Sequence, residues 1–356
     1  MKLDQILKVA ARGQASDILL KADAYPRFRF QGELVDLADG AVITHEMMKL
    51  WVGQIVPPHL HPQLRLLKDL DFSYQMANGS RFRVNLFRQQ GKWGLVLRVL
   101  HNRIKTMDEL QLPEILHSLP KRRRGLVLVT GATGSGKSTT LSAMIEKINS
   151  SFNSHIITIE DPVEVIFKEK KSTINQREIG TDTGSFSDAL RSALRQNPDV
   201  ILVGELRDRE TTETALMAAE TGHLVMSTLH TNDAVESLTR LLSYFPPREH
   251  PALRMMLSMS LEAVVSQRLV RRADHGSQVA AMEIMLANAH IKEIIMKGED
   301  FSVIKDAISN GHESYGMQTF DQSLLSLYQR DLITKEEAMK QASKKEDLKL
   351  AMSGVA

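Results

Sequence analysis

Hydrophobic positions follow one rhythm over the first hundred residues and another from Gly125 onward. Leu3, Ile6, Leu7 and Ala10 recur at the spacing of one helical face, and Gly13 is placed to stop that helix. Residues 16–21 (SDILLK) and 27–37 (RFRFQGELVDL) read as strands, the latter folding back at a Gln31-Gly32 turn. Residues 71–87 form a hairpin around Asn78-Gly79, a dipeptide that tolerates the positive φ of tight turns. Residues 94–100 add a further strand. Phe82, Val84 and Leu86 alternate with Arg81, Arg83 and Asn85, so one face of that strand is apolar and the other basic. Arg83 therefore points away from its own core, where a neighbour or ligand can use it; a plain solvated face has the same pattern. Residues 101–120, with His101, Asn102, Pro113 and Pro120, read as a linker. The run KRRR at 121–124 reads as a solvated segment at a domain edge.

From Gly125 short, continuously apolar strands alternate with helices. The strands are residues 125–130, 155–160, 200–205 and 223–230. Helices are expected over 137–149, over a stripe of Phe186, Leu190, Ala193 and Leu194 that stops before Pro198, and over 209–221. This alternation predicts a parallel sheet covered on both faces. Beyond about residue 287 the pattern is helical. Phe320, Leu324, Leu327 and Tyr328 share a stripe, and Thr334 with Glu337 has the spacing of a capping box. The expected organisation is α/β throughout: an N-terminal module over 1–102, a linker over 103–120, a parallel-sheet core over 121–286 and a helical region over 287–356.

Composition narrows the classes. A chain of 356 residues suggests two domains, and 42% apolar with 25% charged residues is ordinary for a globular protein. The absence of cysteine removes disulfides and thiolate metal sites, and fits a reducing compartment. A net charge of +2, from 45 basic and 43 acidic residues, gives no global reason to expect a nucleic-acid partner. The first residues are too polar for a signal peptide, and no run approaches the roughly 18 apolar residues of a membrane span. A cytoplasmic protein is expected, docked by partners if it works at a membrane.

Gly131, Ala132, Thr133, Gly134, Ser135, Gly136, Lys137 and Ser138 satisfy G-x-x-x-x-G-K-[ST], between a predicted strand and a predicted helix, with Thr139 next. Such glycines let backbone N–H groups curl around phosphates, and the helix N-terminus adds partial positive charge. Lys137 would reach the β- and γ-phosphates of ATP and Ser138 would ligate Mg²⁺. Hydrolysis also needs a carboxylate to orient or deprotonate water. Glu160, Asp161 and Glu164 lie at the end of a buried strand, where ligands bind in such sheets. Glu164, beyond Pro162, is the freest candidate for general base, although an acidic surface loop has the same appearance. Residues 200–205 look like a Walker B strand with Gly204 where aspartate is common. Glu205 could organise Mg²⁺ through water, or could pair with Arg207 or Arg209. His223 and His230 mark the two ends of the last strand. Such residues are commonly structural, and His230, at the carboxyl end, is the one placed to sense a γ-phosphate.

Four blocks occur in order: GATGSGKST, TIEDPVE, NPDVILVGELRDRET and GHLVMSTLHTNDA. Together they resemble the Walker A, Asp box, Walker B and His box of the secretion ATPases that drive type II secretion and type IV pili. The similarity covers nearly the whole chain and looks most like the PilT/PilU-type pilus retraction ATPases. Further marks are RFRVNLF, SMSLEAVVSQRLV, YGMQTFDQSL and DLKLAM. The resemblance implies a PAS-like N-terminal domain, a RecA-like C-terminal domain and a homo-hexameric ring with ATP bound between the two domains. It implies Glu164 as catalytic base, Glu205 as the Walker B acid and His230 as the His-box residue. Arg83 and Arg98 match arginines that the N-terminal domain contributes to nucleotide, and Arg195 and Arg240 match arginines of the family core. The implied partner is the inner-membrane pilus platform protein.

The assembly and type II secretion branches usually carry an additional N-terminal domain and a paired CxxC zinc insert. Here the PAS-like module begins almost at Met1 and there is no cysteine. Both features favour the retraction branch. The stretch NAHIKEIIMKGED matches the family's AIRAGEM-like segment only loosely, and with GMQTFDQSL and DLKLAM it looks somewhat more PilU-like. An accessory ring that assists a second retraction ATPase is the alternative. An assembly or type II secretion ATPase, and a nucleic-acid translocase, are further alternatives with less support.

Overall fold

The computed structural model describes the chain apart from residues 1, 14, 31, 38–40, 67, 101–102, 275, 277, 299 and 354–356. It divides into two compact units: Met1–Arg103 with Pro162–Ile166, and Ile104–Asp161 with Phe167–Ala356. The Gln31-Gly32 turn and the His101-Asn102 pair involve residues outside the described set.

In the first unit, α1 (Leu3–Arg12) precedes β1 (Asp17–Lys21), β2 (Arg27–Phe30) and β3 (Glu33–Asp36). Helix α2 (His45–Ile55), β4 (Asp69–Gln75), β5 (Arg81–Gln89) and β6 (Lys92–Leu100) follow. The strands form one antiparallel sheet in the order β3-β2-β1-β6-β5-β4. Alternation decides its faces: Ile18, Leu20, Val84, Leu86, Leu95 and Leu97 point inward to meet the apolar sides of α1 and α2. The Asn78-Gly79 turn closes the β4–β5 hairpin with Gly79 at φ 86°. The hydrophobic rhythm described above does not reach α2. That helix starts at Thr44, whose hydroxyl accepts from Met47 N, and it buries Met48, Trp51, Val52 and Ile55.

One expectation for this sheet needs correction. Arg81 lies on the polar face of β5 but is only 6% exposed, and its Nη1 donates to the carbonyl of Val163 at 2.8 Å. The segment Pro162–Ile166 covers that end of the face, so the basic row is solvated at Arg83 and not at Arg81.

In the second unit, β7 (Gly125–Thr130) runs into α3 (Lys137–Ser151), and β8 (His155–Glu160) and β9 (Thr173–Glu178) follow. Then come α4 (Phe186–Ala193), β10 (Val200–Val203), α5 (Arg209–Glu220), β11 (Leu224–Leu229), α6 (Ala234–Ser243) and α7 (His250–Ser260). The chain continues through β12 (Leu261–Arg271), β13 (Gln278–Leu286), α8 (Ala289–Lys297), α9 (Val303–Asn310) and α10 (His312–Tyr315). It ends with α11 (Phe320–Gln329), α12 (Lys335–Gln341) and α13 (Lys345–Met352). The sheet order is β13-β12-β7-β11-β10-β8-β9. All neighbours pair in parallel except β12 and β13, so the expected parallel sheet carries one antiparallel edge strand. The outer strand β9 (TINQRE) lacks the apolar-run pattern and is only partly buried, whereas β13 is buried almost throughout and its apolar run is broken by Glu283.

Both faces of this sheet are covered. Residues of α4 to α9 pack on one side of the central strands, and α3 packs on the other. The stretch 103–120, read from sequence as a linker, lies from Ile104 onward in that second layer: Met107, Leu112, Leu116 and Leu119 are buried in the cluster that includes α3. Prolines there shape a 3₁₀ helix (Glu114–Lys121) instead of marking a free connection. The last helices pack on the β12–β13 hairpin through Phe320, Leu324 and Leu348. Thr334 caps α12 by accepting from Glu337 N, but Glu337 Oε1 accepts from Arg271 N, so only half of the expected capping box forms. Glu283 on β13 is buried and accepts from Ala234 N at the start of α6. Burial, with Asp233 nearby, raises its pKa from 4.5 to about 7, against the lowering effects of the Ala234 bond, Lys305 and Arg268. Among the described residues no helix is long and apolar enough to cross a membrane.

Candidate functional site

The loop between β7 and α3 is shaped by contacts that exclude side chains. Gly131 has φ 143°, and a Cβ there would fall 2.4 Å from the Gln267 carbonyl and 2.5 Å from Ser135 Oγ. Gly136 occupies the left-handed region as the N-cap of α3, which costs glycine little. Lys137 is buried, and its Nζ donates to the carbonyls of Gly131 and Ala132 at 2.8 and 3.1 Å. Its charge is thereby held inside the curve of the loop. Ala132, Thr133 and Gly134 form the exposed rim, and Ser138 and Thr139 are exposed in the first turn of α3. Loop residues Gly131–Ser135, with Asn232, Gln267, Arg268 and Leu269, border a cavity of about 330 Å³.

Gln267 lies within SMSLEAVVSQRLV, a segment to which the sequence assigns no site role. It lies on β12, fully inside the protein. Its Nε2 donates to Ser135 O at 2.6 Å while its Oε1 accepts from Thr140 Oγ1 at 3.0 Å. In the sequence it is marked only by lying in that segment, and the strand pairing that aims it is not legible there.

A second cluster sits at the carboxyl ends of β8, β10 and β11. Glu205 Oε2 accepts from Arg207 Nε at 2.7 Å, and His230 Nε2 lies 3.5 Å from the same oxygen. Arg207 also approaches Asp161 at 3.5 Å, and its pKa is raised chiefly by the hydrogen bond to Glu205. The alternative pairing of Glu205 with Arg207 is therefore the one present, while Arg209 pairs with Glu249 at 2.6 Å. Gly204 has a steric reason: a Cβ there would stand 3.2 Å from Ile159 O and 3.4 Å from the Phe186 ring. An aspartate would need that strand junction to loosen. Glu160 is engaged, accepting from Thr158 Oγ1 at 2.7 Å and from Gln176 Nε2 at 3.3 Å. His223 Nδ1 lies 2.9 Å from Ala218 O, a structural contact at the amino end of β11.

The remaining candidates belong to the first unit. Glu164 is exposed on the Pro162–Ile166 segment beside the buried Val163. Arg83 and Arg98 are exposed, directly opposed residues of β5 and β6. Like charges in that position repel. Asp17, the partner of Arg98 on β1, relieves the repulsion by accepting from Arg98 Nε at 3.1 Å. Among the described residues Arg83 makes no side-chain hydrogen bond or ion pair. In the second unit Arg195 bonds the Arg191 carbonyl, and Arg240 donates to Tyr244 Oη at 3.2 Å.

No cluster of three or more histidines or carboxylates with metal-binding geometry occurs among the described residues. An ion held only by Ser138, with Glu205 acting through water, needs no such cluster. Mg²⁺ commonly keeps several waters and takes one or two protein ligands plus phosphate oxygens, so the exposed hydroxyl fits that ion.

The family model for type II/IV secretion system proteins matches residues 2–347. The type IV pilus retraction ATPase PilT of Pseudomonas aeruginosa is 42% identical over 342 residues, covering 96% of this chain and 98% of the relative. The type IV pilus ATPase PilU of the same organism is 38% identical over 350 residues, covering 98% of this chain and 91% of the relative. A crystal structure of the pilus retraction motor PilT with bound ADP superposes with a TM-score of 0.89 at 42% identity, covering 98% of this chain and 99% of that one. With a matching loop, strand order and full-length similarity, the chain belongs to the type II/IV secretion system protein family.

Proposed function

We propose that this protein is an ATP-hydrolysing motor for type IV pilus retraction, working as a homo-hexamer docked on an inner-membrane platform protein at the cytoplasmic base of the pilus. The observation that carries the reading is a phosphate-shaped loop with a buried lysine in a chain that matches PilT from end to end. Groups of the N-terminal module that act on nucleotide are part of the same proposal.

In this mechanism the loop N–H groups from Gly131 to Ser138 and the start of α3 bind the phosphates. Lys137 exchanges its carbonyl partners for β- and γ-phosphate oxygens. Ser138 and Thr139 stand at the same helix turn, and Ser138 would hold Mg²⁺, which neutralises phosphate charge when bound. Glu205, which accepts from Arg207, would orient water around that ion. Glu164 orients the attacking water and takes its proton as the water oxygen bonds to the γ-phosphorus and the bond to ADP breaks. His230, sharing Glu205, reports the presence of the γ-phosphate. Arg83 and Arg98 neutralise charge that develops on the transferring group.

Labelled surface pili in a deletion strain, complemented with wild type or Lys137→Ala, test the proposal. Pili that extend without retracting in both the deletion and Lys137→Ala strains are expected. Loss of pili in the deletion strain would sink it and point to assembly. The similarity to PilU supports a second reading, an accessory ring beside another motor. It predicts retraction with Lys137→Ala but none in the deletion strain.

A further inference from the structure

We infer that Gln267 is a positioning residue of the nucleotide site, holding the phosphate loop in its receptive shape through Ser135 and Thr140. The inference rests on the loop being the ATP site and deepens that reading.

The β12 strand lies beside β7 in parallel, with Ser266 opposite Thr130, so Gln267 stands next to the point where β7 becomes the loop. The Thr130 hydroxyl donates to Ser266 Oγ at 2.9 Å and ties this rung. One residue on, the Gln267 amide spans the loop. Its nitrogen donates to Ser135 O, just before the left-handed Gly136, and its oxygen accepts from the Thr140 hydroxyl one helical turn into α3. The carbonyl of the same residue lies against Gly131 at the loop's start. Residue 267 thus touches the beginning, the end and the helix behind the loop.

The chemistry requires an amide. One end must donate and the other accept, and at 1% exposure no bulk water replaces either bond. Glutamate would set an acceptor against the Ser135 carbonyl and add negative charge behind a phosphate site. Leucine or methionine would fill the space and leave the loop's hinge unheld. The loop retains a cost in any case, because Ser135 Oγ is buried without a hydrogen-bond partner. A loop holding a buried hydroxyl without a partner depends on the neighbouring contacts that fix its backbone.

The test uses the full chain with fluorescently labelled ADP, direct titration and steady-state phosphate release. Wild type is expected to bind. Gln267→Met and Gln267→Glu should weaken ADP binding and raise KM for ATP, by roughly tenfold for Met and more for Glu, with kcat within about threefold. Thr140→Val should raise KM in the same direction, and Thr140→Ser, which keeps the hydroxyl, should restore it. Any Gln267 variant that does not fold leaves the Thr140 pair to decide. Wild-type KM in Gln267→Met, or in Thr140→Val, would overturn the inference. So would a loss of kcat at unchanged KM. Absence of binding by wild type itself would overturn the ATP-site reading and the inference with it, and is distinguished by failing before any variant is compared.

Discussion

The two sheets solve the same burial problem in opposite ways. The first unit's antiparallel sheet buries one face fully, so alternate positions of β5 and β6 such as Arg83 and Arg98 can carry exposed charge. The second unit's sheet buries both faces, and β7, β10 and β11 have no exposed residue at all. Around these three strands the candidate site groups lie beyond the strand ends: the loop after β7, Glu205 after β10 and His230 after β11. A one-sided sheet displays functional groups across a surface, whereas a two-sided sheet gathers them at its carboxyl edge.

The comparison breaks most visibly if the displayed groups carry no chemistry. Glu164→Gln, in a segment that packs with the one-sided sheet, should lower steady-state phosphate release by about a hundredfold while ADP affinity by titration stays within twofold. Ordinary turnover would confine the chemistry to the strand ends. Next in size, Leu116→Ala tests whether residues 104–121 are one of the two covering layers. Denaturant unfolding should show a loss of about 3 kcal/mol, and an effect near zero would return the stretch to the status of a connection.

A third test concerns the acid buried on the two-sided sheet. The Glu283 carboxyl binds its proton until about pH 7 when folded and releases it near 4.5 when unfolded. The folded state therefore holds the extra proton between those values. The contribution of Glu283 to stability is fully present below 4.5, falls as pH rises through the window and is lost above 7, by about 3 kcal/mol in total. Glu283→Gln keeps an acceptor for Ala234 N and should flatten the profile of melting temperature between pH 4.5 and 8. An unchanged slope would remove Glu283 as its source. The smallest test sharpens the one-sided face itself. Arg81→Met should cost about 2 kcal/mol of stability, because it strips a donor from the buried Val163 carbonyl. Arg83→Gln should cost less than about 0.5 kcal/mol by the same unfolding measurement.

Much of this arrangement is legible in the sequence, because periodicity reports burial and the loop motif reports backbone shape. Alternation marks the strands around Arg83, and continuous apolar runs mark β7, β8, β10 and β11. What escapes needs a partner distant in sequence. Arg81 and Arg83 have the same parity, and only Val163, 82 positions away, separates a buried guanidinium from a free one. Gln267 looks like any strand residue until β12 lies beside β7. Strand β9 (TINQRE) is too polar to announce itself, and its pairing with β8 identifies it. Glu205 could be read as metal acid or ion-pair partner, and its contact with Arg207 shows the second without removing the first.

The excursion of Pro162–Ile166 has a consequence for modularity. The chain passes between the units at 103/104, at 161/162 and again at 166/167. The first unit is therefore not a cassette that can be cloned as residues 1–103, because such a piece lacks the segment whose Val163 carbonyl engages Arg81. Swapping N-terminal modules between relatives would have to exchange that five-residue insert as well. A chimera joined at residue 103 alone would carry a mismatched segment, and Glu164 would travel with the wrong half.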